Sequence, residues 1–257
     1  MNSLSVSLVQ CELAWEEPAD NRRQFQELID AAPELGDIVV LPEMFTTGFS
    51  MNAIANAEAP GGATECWLQA MATRYDRAFT GSIAVKVDDQ VYNRMLFVTP
   101  ESTTIYDKRH LFRMAGEHRR YAAGDKRVIT NWRGWRINLQ VCYDLRFPVF
   151  CRNRDDYDLM LFVANWPMPR SQHWRALLPA RAIENLACVV GVNRIGHDAN
   201  GLDYSGDSMA IHGNGEILCD MRDRSGIETV IFDGDLLTQY RDAFPANLDA
   251  DNFMLVD

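Results

Sequence analysis

The chain has 257 residues and a formal net charge of −11, from 25 basic against 36 acidic residues. Hydrophobic residues at 47% and charged residues at 24% describe a globular protein, not a disordered or fibrous one. Such acidity repels nucleic acid and anionic membrane surfaces, so neither is an expected partner, and an anionic substrate needs a local cluster of arginines.

The opening MNSLSVSLVQ lacks a basic stretch ahead of an apolar core, so it does not read as a signal peptide. Apolar runs such as DLMLFVANW are too short to span a bilayer. Six scattered cysteines without paired spacing suggest free thiols in a reducing, cytoplasmic setting.

In chain order, LSVSLVQ alternates as a half-buried strand, and residues 20–32 repeat as an amphipathic helix. DIVVLPE reads as a short buried strand ending at a proline, and ECWLQAMATRYD as a helix. FTGSIAVKV and VYNRMLFVT form two strands joined through DDQ, and STTIYDK is a further strand. WRINLQVCYD, DLMLFVAN and ACVVGVNR are predicted strands. Between the last two, SQHWRALLPARAIENL has helical period, with Pro179 a possible kink or boundary. The final predicted hairpin, MAIHGNGEILC, turns at Gly-Asn-Gly. No linker or low-complexity tract interrupts the chain, and many strands with interspersed helices point to an α/β sandwich.

Three reactive side chains stand where apolar runs stop. Glu43 closes DIVVLPE, Lys108 follows TTIYD and Cys142 follows RINLQV. Rigid strand ends hold groups in the narrow geometry that catalysis needs. Singly, each residue also has a structural reading. Glu43 fits a helix N-terminal position, Lys108 a solvated turn and Cys142 a small buried hydrophobe. The combination carries the chemical reading.

LPEMFTTGF, YDKRHLF and VCYDLRFP, in that order, closely resemble the three signature motifs of the nitrilase superfamily of carbon–nitrogen hydrolases. RMAGEHRRY and ANWPMPRSQHWRALLPARAIEN extend the likeness, which these segments carry to about residue 219. The resemblance implies a single domain over residues 1–257, a four-layer α-β-β-α sandwich paired as a homodimer, and no cofactor. It assigns Glu43 as general base, Lys108 as catalytic lysine, Cys142 as nucleophile and Glu117 as a further active-site glutamate. For Glu117 the surrounding EHRR also fits a solvated, ion-paired turn.

These groups suit amide hydrolysis. A thiol with a pKa of about 8.5 needs a neighbouring base or cation before it attacks, and the N–H of Tyr143 joins Lys108 as an oxyanion donor. True nitrilases usually carry Cys-Trp-Glu where this chain has Cys142-Tyr143-Asp144, which favours an amide over a nitrile. RMAGEH and ANWPMPR point to the omega-amidases within the superfamily. Their substrates are terminal amides of short α-keto dicarboxylic acids, α-ketoglutaramate and α-ketosuccinamate. An amidase of deaminated glutathione and an inactive binding protein of the same fold are the alternatives.

A substrate carboxylate calls for an arginine fork. Arg113 is the leading candidate, while Arg146 and Arg170 read first as ion-pair partners. Phe112 and Trp166 are expected either to wall the pocket or to pack in the core. The five histidines show no HExxH pattern and the cysteines no CxxC pair, so no metal site is expected.

Overall fold

The computed structural model describes residues 2–254. The first half contains β1 (Leu4–Gln10), α1 (Pro18–Asp30), β2 (Ile38–Val40), α2 (Ala53–Asn56), α3 (Ala63–Tyr75), β3 (Ala78–Val87), β4 (Gln90–Val98) and β5 (Thr103–Asp107). The second contains β6 (Ile129–Trp132), β7 (Trp135–Val141), α4 (Pro148–Cys151), β8 (Leu159–Ala164), α5 (Ser171–Asn185) and β9 (Cys188–Asn193). After these come β10 (Ile195–His197), β11 (Asp203–Ser205), β12 (Met209–Ile211), β13 (Ile217–Asp220), β14 (Gly226–Phe232) and α6 (Gly234–Ala243).

Two six-stranded sheets result, ordered β14-β1-β2-β3-β4-β5 and β13-β12-β9-β8-β7-β6, with β10 and β11 pairing separately. In each sheet three neighbouring strands run parallel: β1, β2 and β3 in one, β7, β8 and β9 in the other. The alternation of β1 explains how the sheets stack. Leu4, Val6 and Leu8 join Trp135, Ile137 and Leu139 of the opposite sheet in one core. On the outer face Val39, Leu41 and Phe79 pack with Phe25 and Ile29 of α1 and with Leu68 and Met71 of α3. Trp174 and Leu178 of α5 and Leu237 of α6 cover the second sheet. Gly191 lets α5 lie close, because a Cβ there would come 2.6 Å from Leu178 Cδ1. The layers therefore run α-β-β-α.

Several element boundaries differ from the sequence reading. The first helix starts at Pro18, whose fixed φ suits a first helical turn. The β3–β4 turn is only Asp88 and Asp89, since Gln90 already pairs with Val87; Asp88 takes the positive φ such turns need. Pro179 neither ends nor splits α5, which continues to Asn185. The predicted strand WRINLQVCYD stops at Val141, and Cys142–Arg146 coils into a 3-10 turn. Two C-terminal elements went unread: β14, paired antiparallel with β1, and α6 after it. No helix among the described residues is long and apolar enough to cross a membrane.

Candidate active site

Glu43, Lys108 and Cys142 gather beyond the carboxyl ends of β2, β5 and β7, and strand carboxyl ends are the usual ligand position in α/β sheets. The segment Leu41-Pro42-Glu43 continues from β2, pinned where Leu41 N–H donates to the Thr80 carbonyl at 2.7 Å. Lys108 follows β5, its N–H donating to the Asn93 carbonyl at 3.0 Å. Cys142 follows β7 and is the first residue of the 3-10 turn, with φ at +47°. A non-glycine residue is seldom found at such an angle, and active sites are where it concentrates.

Glu43, Lys108 and Glu117 are fully buried and bonded together. Lys108 Nζ donates to Glu43 Oε1 at 2.9 Å and to both Glu117 oxygens at 3.0 and 3.1 Å. Asn93 Nδ2 donates to Glu43 Oε1 at 2.7 Å and to Glu117 Oε1 at 3.3 Å. The Asn165 N–H donates to Glu43 Oε2 at 2.8 Å, so both oxygens of that carboxylate are oriented. The Phe112 N–H does the same for Glu117 Oε2 at 2.5 Å. Glu117 is thus no solvated turn residue.

The Cys142 side chain lies within electrostatic reach of Glu43, Lys108 and Glu117. Burial, then the Glu43 charge, push its thiol well above the ordinary range against the opposing pull of Lys108. Burial works against the Lys108 ammonium, but Glu117, Glu43 and Cys142 outweigh it and hold its pKa well above normal. Burial and the Glu43 charge raise Glu117, while Lys108 opposes them. The resting site therefore carries a protonated thiol beside an ammonium clasped by carboxylates. An attack through sulfur requires proton removal during the step, and Glu43 is the group placed to take that proton.

Cys142 opens onto a narrow cavity of about 50 Å³, lined also by Phe49, Phe112, Tyr143, Arg146, Asn165, Trp166, Arg170, Leu202 and Tyr204. A space of that size admits a slender substrate. Phe112 and Tyr143 meet edge to face at 5.0 Å. The N–H of Tyr143 lies in the first turn of the 3-10 helix, where donors lack an intrahelical acceptor.

Three sequence expectations shift here. Phe112 and Trp166 wall the cavity. Arg146 and Arg170, expected first as ion-pair partners, line it with their guanidinium groups over the rings of Trp166 and Phe112, at 4.9 and 5.2 Å. Arg146 also contacts His173 Nδ1 at 2.7 Å. Arg113 is absent from the lining. It stands exposed one residue beyond Phe112 and borders a wider surface groove that meets the cavity at Tyr143. Consecutive residues of a tight turn point apart, so only one of the two faces inward.

Sequence reasoning missed Asn93 and Asn165, which orient the charged groups. Asn93 had a readable signal: in β4 it shares the buried parity of Val91, Met95 and Phe97. Nothing in the local pattern marks Asn165, whose function comes from contact with a residue 122 positions away.

The two stacked sheets, their flanking helices and the buried carboxylate–lysine–thiol cluster define a hydrolase of carbon–nitrogen bonds. The carbon-nitrogen hydrolase family profile matches residues 5–242, and the chain belongs to that family. The likeness therefore extends past residue 219. The chain is 48% identical to omega-amidase YafV of Yersinia enterocolitica, over 100% of both chains. It is 30% identical to 2-oxoglutaramate amidase of Bacillus subtilis, covering 94% of this chain and 95% of that one. A crystal structure of a CN-hydrolase superfamily protein from Xanthomonas campestris, with an arsenic adduct in its active site, superposes with a TM-score of 0.97. It shares 48% identity over 100% of both chains.

Proposed function

We propose that this protein is an omega-amidase that hydrolyses the terminal amide of short α-keto dicarboxylic acid monoamides, α-ketoglutaramate and α-ketosuccinamate. The observation that carries this reading is the buried Glu43–Lys108–Glu117 cluster beside the Cys142 thiol at a narrow, arginine-lined cavity. The full-length likeness to omega-amidases supports the substrate.

In the reaction Cys142 Sγ attacks the amide carbon while Glu43 takes the thiol proton. The carbonyl electron pair moves onto oxygen, where Lys108 Nζ and the Tyr143 N–H stabilise it. Each such donor contributes about 3–4 kcal/mol to lowering the barrier. The tetrahedral intermediate collapses as Glu43 returns the proton to nitrogen, and ammonia leaves a thioester on Cys142. Water then gives a proton to Glu43, attacks the thioester and releases the acid and the thiol. Glu117 holds the ammonium in place and balances its charge. Arg146 and Arg170 receive the substrate carboxylate, a role their aromatic platforms suit by fixing the guanidinium planes.

The same reading takes residues 1–257 as one domain, supported by a core that spans both sheets. It places the protein in the cytoplasm, which the six free cysteines fit, and pairs it as a homodimer. The test is ammonia release across α-ketoglutaramate, α-ketosuccinamate, deaminated glutathione, simple nitriles and N-carbamoyl compounds. Highest kcat/KM on the two keto-amides is expected; preference for any of the others refutes the substrate assignment.

A further inference from the structure

One fully buried carboxylate is not used in the steps above. Asp144, two residues past the nucleophile, has no solvent exposure and receives four hydrogen bonds. Its Oδ2 accepts from the Val141 N–H at 2.9 Å and from the Tyr106 hydroxyl at 2.7 Å. Its Oδ1 accepts from the His110 N–H at 3.0 Å and lies 2.7 Å from His110 Nδ1, so the ring carries a proton there. The Tyr106 hydroxyl in turn accepts from the Arg109 N–H at 3.2 Å.

The positions of these partners matter. Val141 directly precedes Cys142, while Tyr106 and His110 flank Lys108 two residues away on each side. The His110 ring also stacks flat on Phe147, at the end of the Cys142 turn, with centroids 3.8 Å apart and planes 7° from parallel. Nucleophile and ammonium come from separate strands of different sheets, and Cys142 sits at an unfavourable φ that something must enforce. Asp144 bonds to both segments at once.

We propose that Asp144 is a positioning residue that clasps the Lys108 segment to the Cys142 turn through His110, Tyr106 and Val141, setting the geometry of the oxyanion site. This rests on the reading of Cys142 as nucleophile. An amide cannot replace the carboxylate. Whichever oxygen becomes NH₂, a backbone N–H, of Val141 or of His110, then faces a donor.

The test compares wild type with Asp144→Asn and with Tyr106→Phe, which removes a single grip. Readouts are kcat and KM for the best amide substrate, melting temperature, and affinity for succinic semialdehyde and for succinate. The semialdehyde adds to Cys142 as a thiohemiacetal: an S–C bond forms, the carbonyl electron pair moves to oxygen, and the thiol proton passes by way of Glu43 to that oxygen. It probes the oxyanion site, whereas succinate probes the ground-state pocket. In Asp144→Asn, kcat and semialdehyde affinity are expected to fall together by about 100-fold, the scale of a misplacement near 1 Å. KM and succinate affinity stay within about threefold, a split that loss of stability alone does not produce. A kcat per folded molecule within about threefold of wild type overturns the proposal, as does an equal loss of semialdehyde and succinate binding. If Asp144→Asn does not fold, Tyr106→Phe decides: about tenfold with the same split supports the clasp, and unchanged kcat refutes it. A wild type that forms the thiohemiacetal on Cys142 but hydrolyses no keto-amide overturns the substrate reading alone, because the clasp is still read from the semialdehyde.

Discussion

Lys108 Nζ lies 2.9 Å from Glu43 Oε1, and neither side chain has any exposure to solvent. Desolvating both groups is costly, and their mutual attraction, with Glu117 and the hydrogen bonds from Asn93, Asn165 and Phe112, offsets it. Replacing Lys108 by Met leaves two carboxyl groups buried without a cation. Stability should fall by about 3–5 kcal/mol, lowering the melting temperature by about 10 °C. Calorimetry checks this, and an unchanged melting temperature would mean that the cluster contributes nothing to folding.

Cys142→Ala removes the attacking atom but leaves the carboxylates and ammonium paired. Ammonia release should fall by about 10⁴-fold or more, with an unaltered circular dichroism spectrum. Substantial residual turnover would move the nucleophile elsewhere.

The Cys142 thiol is raised by burial and by Glu43, so it stays protonated where an ordinary cysteine ionises. Comparing the ultraviolet spectra of wild type and Cys142→Ser should reveal no thiolate at pH ~8.5, near the unperturbed thiol pKa. A thiolate already present at neutral pH would replace concerted proton removal with a preformed nucleophile.

Asp158 links Arg136 of β7 to Arg241 of α6, with bonds of 2.8 and 2.7 Å to the same oxygen. Burial acts to raise its carboxyl, but the hydrogen bonds from Arg136 and Arg241 prevail and hold it below the normal range. Its stabilisation is complete above the unfolded pKa of about 3.9 and is lost as pH falls through the lower folded value. Asp158→Asn should therefore cost about 2 kcal/mol at neutral pH. In thermal melts the gap between wild type and variant should close once the pH drops below that folded value. A gap that persists in strong acid would assign the effect to packing.

Much of this protein was readable from local chemistry. Period-two alternation in LSVSLVQ and the apolar run of DLMLFVAN announced strands, and three motifs in order announced the reactive residues. β14 was harder, because GIETVIF is largely half-buried or exposed and is a strand through pairing with β1, more than 200 residues earlier. Asn165, Arg146 and Arg170 were opaque for the same reason. An amide or guanidinium looks alike in a turn and in an active site until its neighbours are known.

By itself the sequence determined which residues have the chemistry and where apolar faces repeat, because both are properties of short stretches of chain. Only the tertiary structure decided that Lys108 lies between Glu43 and Glu117, that Arg146 and not Arg113 enters the cavity, and that Asp144 bonds to both catalytic segments. The physical reason is distance along the chain. Desolvation and charge pairing act through space, and the groups that settle them here come from different strands of two sheets.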